Sequence, residues 1–445
     1  MNVFFASLGC DKNLVDAEVM LGILSSHGYT ITDDESEADV IVVNTCCFIH
    51  DACEESIQTI LELAAYKETG KCKALIVTGC LASRYADEIH KEIPEADALL
   101  SATAYDQIAE VIDGVLAKRS RDFIADINAL PMPDVDRMIT TGGHYAYLKI
   151  AEGCNKRCTY CAIPNMRGSY RSYPMEYLLK QARYLVSQGV KELILVAQET
   201  TLYGIDLYQE KSLGRLLREL CRIDGLHWIR LLYCYPEEID DELIDVIKTE
   251  PKVLHYLDIP IQHASDAILK RMGRRTDQAS LRALIAKLRK EIPDICIRTT
   301  LITGFPGETQ EDHETLMAFV NEMEFDRLGV FPYSREEGTA AYDFDDRVDA
   351  ETAESRRDEI MELQQEISAE HGENMIGRKL NAFVEGLIVD EEVYAARTYM
   401  DAPDVDGLVF IKSDRELLSG DLITVKITGS NEYDLMGVET DESAE

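Results

Sequence analysis

The sequence predicts an α/β protein in three parts: an N-terminal open parallel α/β sheet, a central partial (β/α)6 barrel and a small C-terminal antiparallel β-barrel. Over residues 1–118, apolar runs alternate with helical patterns, which is typical of a parallel sheet. The same alternation recurs six times over residues 140–372, and short strand-like runs separated by Gly and Asp fill residues 373–440. Residues 119–139, which include P-M-P, form the predicted linker.

The charge of the chain is its most unusual bulk property. Of 445 residues, 45 are Lys or Arg and 82 are Asp or Glu, which gives a net charge of −37. Such a surface repels phosphate backbones and attracts a basic partner, although the acidic residues could equally serve solubility. The chain has neither a secretory signal pattern nor an apolar stretch of membrane-spanning length, so we expect a cytoplasmic protein with no membrane partner.

Three apolar runs in the first part each lead to a cysteine. Cys10 follows the first run in S-L-G-C, Cys46 follows the second in N-T-C, and Cys80 follows the third in T-G-C. Because ligands bind outside the carboxyl ends of parallel strands, these three thiols can converge on one site. The predicted strands are residues 3–6, 40–43 and 74–77, and the predicted helices are residues 15–26, 56–67 and 82–91.

Other interpretations of this part stay open. Twelve cysteines without a secretory signal favour metal or redox chemistry over disulfides, but the six in this part could also be small buried side chains. S-L-G-C-D-K lacks the glycines of a G-x-G-x-x-G phosphate loop, which argues against a nucleotide-binding Rossmann domain. The cysteines that compete with the three strand-end residues are Cys47, Cys53 and Cys72.

The central part carries six strand-like runs separated by amphipathic patterns, which favours a partial parallel barrel. Active sites of such barrels lie at the carboxyl ends of the strands. The predicted strands are residues 147–150, 193–196, 229–233, 256–259, 297–302 and 328–331, and the predicted helices are residues 177–187, 213–221, 238–248, 280–290 and 310–321.

A cysteine-rich loop, G-C-N-K-R-C-T-Y-C, follows the first of these strands. Cys154, Cys158 and Cys161 stand in a C-x3-C-x2-C frame that can place three thiolates around one metal centre. Zinc usually takes a fourth protein ligand nearby, and residues 162–171 contain no Cys or His. Three ligands on an iron–sulfur cube leave one iron open to bind something else. A disulfide with a spare thiol is the less favoured alternative, because cytosolic thiols stay reduced.

This frame, with Tyr160 before the last cysteine, resembles the signature of the radical S-adenosylmethionine (SAM) enzymes. The resemblance implies that SAM chelates the open iron and that Tyr160 lies near the adenine. G-V-K-E, ending at Glu192 before the second strand, is similar to a motif that touches the SAM amino group. T-G-F-P-G-E, which ends the fifth strand, resembles turns that border the ribose or methionine part of SAM, and it contains Gly304 and Glu308.

The first part is also similar to a known domain. S-L-G-C-D-K-N-L-V-D, with N-T-C and T-G-C after it, resembles the N-terminal domain of the methylthiotransferases. In that family the cysteines that match Cys10, Cys46 and Cys80 hold an auxiliary 4Fe–4S cluster. D-I-P-I-Q-H-A-S, which contains His263, is similar to the branch that modifies a ribosomal protein, whereas the tRNA-modifying branch usually has P-x-Q-S-G there.

The C-terminal part resembles the TRAM domain, which helps to hold RNA in tRNA-modifying relatives. Residues 351–370 read as a charged helix, and residues 380–384, 394–397, 408–411 and 422–427 read as short strands. Residues 376–440 contain 6 basic and 13 acidic side chains, a net charge of −7. A module that grips RNA should carry basic residues and stacking aromatics, so a basic protein substrate fits better, unless these acids only solvate the domain.

The resemblance covers nearly the whole chain and implies a radical SAM methylthiotransferase. It would add a methylthio group to the β-carbon of an aspartate in the twelfth small-subunit ribosomal protein. Two 4Fe–4S clusters, SAM, a flavodoxin- or ferredoxin-like electron donor and a sulfur source are implied; direct binding of nucleic acid is not expected. Two alternatives remain: a tRNA (N6-isopentenyl- or threonylcarbamoyl-adenosine) methylthiotransferase, and a two-cluster electron carrier without turnover.

Overall fold

The structure, a computed structural model, describes residues 1–119 and 122–441. It contains a five-stranded sheet, a six-stranded sheet, a closed five-stranded barrel and a two-stranded ribbon. The α/β fold class and the order of its three parts are therefore confirmed. Among the described residues, no helix has the length and apolar character needed to cross a membrane.

The N-terminal sheet is parallel throughout, with strand order β2-β1-β3-β4-β5. The three predicted strands, β1, β3 and β4, are adjacent in this sheet, and β3 and β4 are fully buried. The two strands that the sequence analysis missed are at the edges and span 3 and 4 residues, too few to show a period. The strands are β1 (Asn2–Ser7), β2 (Thr30–Thr32), β3 (Val40–Thr45), β4 (Ala74–Gly79) and β5 (Ala98–Ser101). The helices are α1 (Asp11–Ser26), α2 (His50–Ala64), α3 (Tyr66–Thr69), α4 (Cys80–Arg84), α5 (Ala86–Glu92) and α6 (Ile108–Leu116).

Helix α1 is unusually buried for a helix with so many polar residues. Twelve of its sixteen residues are buried, including Lys12, Asn13, Asp16 and Glu18. The helix lies between the first sheet and the central domain, so its polar face meets protein instead of water: Glu18 pairs with Arg137 at 2.9 Å. The predicted start at residue 15 was four residues late, because the polar first turn carries no apolar period.

The central domain is a six-stranded parallel sheet in the order β6-β9-β10-β11-β12-β13. All six predicted strands are present, and the sheet ends at β6 and β13 without closing, as expected of a partial barrel. The strands are β6 (Tyr145–Lys149), β7 (Ala151–Glu152), β8 (Arg171–Ser172), β9 (Glu192–Val196), β10 (Trp228–Leu231), β11 (Val253–Asp258), β12 (Cys296–Thr303) and β13 (Arg327–Pro332). The helices are α7 (Ile163–Arg167), α8 (Met175–Ser187), α9 (Ile205–Tyr208), α10 (Leu213–Cys221), α11 (Asp241–Thr249), α12 (Asp266–Arg271), α13 (Gln278–Glu291), α14 (Gln310–Met323) and α15 (Ala350–Met375).

The C-terminal barrel has one more strand than predicted, and it is not wholly antiparallel. It closes in the order β14-β15-β16-β18-β17, and the β16–β18 pair is parallel. The missed strand, β18, has only five residues, and its parallel pairing depends on barrel closure, which local patterns do not encode. The strands are β14 (Lys379–Ile388), β15 (Val393–Thr398), β16 (Val409–Lys412), β17 (Leu422–Ser430) and β18 (Leu435–Glu439).

The C-terminal barrel packs against the amino end of β9. Glu192, with no exposed surface, pairs through one oxygen with Arg230 Nε and through the other with Arg397 Nη2, each at 2.8 Å. Beside this contact, the Phe383 and Trp228 rings meet edge to face with centroids 4.5 Å apart. The carboxyl ends of the central strands therefore remain for chemistry.

We expect the Glu192→Ala variant to lose about 3–5 kcal/mol of stability, because two buried guanidinium groups lose their shared carboxylate. The measurement is the thermal unfolding midpoint by circular dichroism. Glu322→Ala is the matched control, since Glu322 pairs with Arg282 on the exposed surface and its loss should change little. Equal effects of the two variants would contradict this account of the interface.

Candidate active site: two cysteine triads

The loop that carries Cys154, Cys158 and Cys161 is closed tightly at its base. Strands β7 and β8 pair across it, and the Cys154 amide donates to the Gly168 carbonyl at 3.1 Å. Gly153 has φ +74°, and a Cβ there would lie 2.2 Å from the Ser169 carbonyl oxygen. Only glycine fits this position, so the loop leaves β7 in a fixed direction.

The three thiols of this loop, the first triad, lie near one another in a buried place. Burial, with the neighbouring Cys158 thiol, raises the pKa of Cys154 and of Cys161 to about 12. Thiols with such pKa values hold their protons at neutral pH unless a metal replaces them. The triad is therefore suited to metal binding rather than to nucleophilic catalysis.

The strand-end cysteines of the first domain, the second triad, also come together. Cys10 precedes α1, Cys46 follows β3, and Cys80 begins α4. Burial raises the pKa of Cys46 to about 12, and the nearby thiols of Cys80 and Cys10 add to the shift. A Cβ on Gly9 would lie 2.6 Å from Cys46 Cβ, so the chain before Cys10 approaches Cys46 closely.

The competing cysteines point elsewhere. Cys47 Sγ donates to Met166 Sδ at 3.2 Å. Cys72 Sγ donates to the Ala74 carbonyl at 3.3 Å, and Cys53 lies within α2. The spatial grouping thus favours the three strand-end cysteines.

Each triad consists of three thiols. Over residues 1–119 and 122–441, no three His, Cys, Asp or Glu side chains are grouped so that they could hold one metal ion. Three thiolates are the ligands by which an iron–sulfur cube with one open iron would be held.

The segment after β10 lies beside both triads. Cys158 Sγ lies 3.5 Å from the Tyr235 hydroxyl. Two residues earlier, the Tyr233 ring centroid lies 3.3 Å from Nζ of Lys12, which is itself two residues from Cys10. One short segment thus contacts a cysteine of the first triad and a near neighbour of Cys10 in the second. Tyr233 has φ +59°, a strained conformation for a non-glycine residue, held here by its neighbours.

Of the predicted SAM contacts, Tyr160 lies beside the first triad. Its ring packs edge to face against Phe305, with centroids 6.4 Å apart. Burial, with the neighbouring Cys158, raises the pKa of its hydroxyl well above the ordinary value. The position is consistent with an apolar surface for an adenine ring.

Gly304 and Glu308 stabilise the turn after β12. A Cβ on Gly304, which has φ +70°, would lie 2.3 Å from Ala353 Cβ, so this glycine allows α15 to pack closely. The Glu308 carboxylate accepts from the backbone amides of Gly304 and Phe305. Its Oε1 lacks a hydrogen-bond partner in the described chain and lies 3.6 Å from His263 Nε2.

Glu192 does not fit its predicted contact with SAM. It lies at the amino end of β9, and both carboxylate oxygens pair with arginines. Glu199 follows the carboxyl end of the same strand, is fully buried, and its Oε2 has no hydrogen-bond partner among the described residues. Burial raises its pKa to about 7. The sequence signal for this second carboxylate is A-Q-E-T-T, directly after the strand.

We expect the Glu199→Gln variant to become more stable relative to the unmodified chain as pH rises from 5 to 8. The folded pKa of about 7 exceeds the ordinary 4.5, so the folded state holds the proton and ionisation costs stability through this interval, by up to about 3 kcal/mol. Denaturant unfolding of iron-free protein at both pH values measures the difference. Glu366→Gln, at an exposed position, is the control; a pH-independent difference for Glu199→Gln would refute the raised pKa.

The chain matches three known families along its length. Residues 2–101 match the uncharacterized protein family UPF0004, residues 148–320 match the radical SAM superfamily, and residues 376–439 match the TRAM domain. The fold is similar to the solved structure of the radical SAM methyltransferase TsrM from Kitasatospora setae. The match covers 85% of this chain and 78% of the TsrM chain, with a TM-score of 0.58. At 13% identity, this likeness concerns the fold alone.

Curated relatives match over the full length. The ribosomal protein uS12 methylthiotransferase RimO of Lachnoclostridium phytofermentans is 60% identical over 437 residues, covering 98% of this chain and 99% of that protein. The protein of the same name from Acetivibrio thermocellus is 51% identical, covering 98% of each chain. The chain therefore belongs to the RimO family of ribosomal protein uS12 methylthiotransferases, within the radical SAM superfamily.

Proposed function

We propose that this chain adds a methylthio group to the β-carbon of an aspartate in ribosomal protein uS12. In this proposal Cys154, Cys158 and Cys161 hold the 4Fe–4S cluster that binds SAM. The observation that supports it most is that Tyr233 and Tyr235, on one strand end, contact the surroundings of both cysteine triads. A substrate carbon held there could reach both sites.

The chain's own residues would bind and orient SAM. When bound, the cluster and SAM supply the radical chemistry that an unactivated carbon requires, which no side-chain acid or base could supply. The buried Glu199 carboxylate can accept hydrogen bonds from the ammonium group of SAM. This positive charge would lower the pKa of Glu199, which burial alone raises. The aromatic surface of Tyr160 and Phe305 can cover the adenine and exclude water.

The second triad, in the same proposal, holds an auxiliary 4Fe–4S cluster at which the sulfur to be transferred would be bound. Cys10, Cys46 and Cys80 supply three thiols, and an incompletely ligated cube keeps one iron open for exogenous sulfur. Cys10 is exposed, whereas Cys46 and Cys80 are buried, so one edge of this triad is accessible to a sulfur source. A flavodoxin- or ferredoxin-like protein is the proposed electron donor.

A protein substrate is favoured over tRNA by the charges of the C-terminal barrel. Two of its six basic side chains, Arg397 and Arg415, are taken up by ion pairs with Glu385 and Glu439. The net charge of the whole chain is −37. Such a surface attracts a basic ribosomal protein and repels a phosphate backbone, so direct binding of nucleic acid is not part of the proposal.

The proposed domains are residues 1–118, the linker 119–139, residues 140–372 and residues 373–440. The three matched segments, residues 2–101, 148–320 and 376–439, each fall within one of these domains and support the division. A cytoplasmic location is also proposed, because the reaction requires reduced thiols.

The proposal predicts about eight irons per chain after anaerobic reconstitution, because each cube contains four. Cys80→Ala and Cys158→Ala should each retain about four, at different sites, as counted by iron and sulfide analysis. Cys296→Ala is the control, since this buried thiol donates to the Met400 carbonyl at 3.5 Å, away from both triads. Eight irons in either triad variant would exclude that cysteine from the ligand set.

Incubation with SAM, a reductant and purified uS12 or tRNA distinguishes the proposed substrate from the alternative. A methylthio mass gain on one uS12 peptide is expected, and its rate should fall with added salt because opposite charges attract the partners. A mass gain on tRNA with none on uS12 would refute the proposal. Reductive cleavage of SAM to 5′-deoxyadenosine would exclude the other alternative, an electron carrier without turnover.

A further inference from the structure

Arg167 is a buried cation that the reaction outlined above does not use. It ends helix α7, six residues after Cys161, and only 2% of its surface is exposed. Its Nη1 pairs with Asp16 of α1 at 2.8 Å and with Glu152, which precedes the cysteine loop, at 3.2 Å. Arg167 therefore fastens the loop of the first triad to the N-terminal domain.

The same guanidinium reaches the second triad. Arg167 Nη2 donates to Asn13 Oδ1, and the Cys80 thiol donates to the same oxygen at 3.7 Å. The Asn13 amide nitrogen donates to the carbonyls of Leu8 at 3.1 Å and Thr45 at 2.9 Å. These carbonyls lie two residues before Cys10 and one residue before Cys46. Through Asn13, one arginine of the barrel is thus connected by hydrogen bonds to the chain before Cys10 and Cys46 and to the Cys80 thiol.

Arg167 belongs to a buried group of two positive and two negative side chains. Arg167 and Lys149 face Asp16 and Glu152, and all four side chains are at least 95% buried. Lys149 Nζ lies 5.1 and 6.0 Å from the ring centroids of Tyr105 and Tyr173. Two buried cations lie near the second triad: Lys12, which interacts with Cys10, and Arg167, which interacts with Cys80. Of these two, Arg167 also pairs with Glu152 before the loop of the first triad.

We propose that Arg167 is a positioning residue that sets the reduction potential of the cluster at Cys10, Cys46 and Cys80 and fixes that cluster relative to the first triad. The inference rests on the proposed second cluster. A guanidinium keeps its charge at every working pH, and a fixed cation in a dry environment stabilises the more negative, reduced state of a neighbouring cluster. Hydrogen bonds to cluster sulfurs act in the same direction.

The test uses the full chain with Cys154, Cys158 and Cys161 all replaced by Ala, so that only the second cluster forms. In this background the midpoint potential is measured by a redox titration followed by electron paramagnetic resonance. Arg167→Gln should shift the potential to more negative values. Lys149→Met is the matched control: it removes one positive charge from the same network at a position farther from the thiols, and its shift should be clearly smaller.

A second variant keeps the test decisive if Arg167→Gln does not fold. The Arg167→Gln/Glu152→Gln double variant removes one charge of each sign, so the network stays neutral, and a smaller negative shift is still expected. Equal potentials in the Arg167 variants, the Lys149 variant and the parent would overturn the inference alone. If the parent with alanine at positions 154, 158 and 161 binds no iron, the proposal of a second cluster is refuted, and the inference about Arg167 with it.

Discussion

The arrangement of the whole site depends on four buried charges between α1 and the barrel. Asp16 comes from the N-terminal domain, while Lys149, Glu152 and Arg167 surround the cysteine loop. Removing such groups from water costs several kcal/mol per ion, and only close pairing offsets the cost. A shift of one domain along the other would leave charges unpaired, so this network selects one relative position. That position decides the distance between the two triads.

A second buried charge group closes the opposite end of the barrel. Glu192 is shared by Arg230 of the barrel and Arg397 of the C-terminal domain. The amino ends of the central strands are thereby covered, and the carboxyl ends face the strand-end cysteines of the N-terminal sheet. Two parallel sheets thus direct their ligand-binding edges toward each other. The segment with Tyr233 and Tyr235 lies at this edge, next to Lys12 and Cys158.

Architecture and chemistry are separable in this protein. The TsrM structure has a similar fold at 13% identity, yet it is named a methyltransferase acting with tryptophan as substrate. In the C-terminal barrel, which matches the TRAM domain, Arg397 is buried in ion pairs with Glu192 and Glu385. Side chains placed on a shared scaffold, rather than the scaffold, determine the substrate.

Local sequence patterns were enough to predict the cysteine loop and most of the strands. The C-x3-C-x2-C spacing defines the first triad within eight residues, and apolar periods located the six strands of the central sheet and three of the first. Three features could be seen only in the folded molecule: both oxygens of Glu192 pair with arginines while Glu199 is buried at the other end of β9, the first turn of α1 is helical and buried, and β16 pairs parallel to β18. These features depend on which distant element covers a charge or closes a barrel. The spacing of residues along the chain does not show which distant element will bury a charged side chain or complete a barrel.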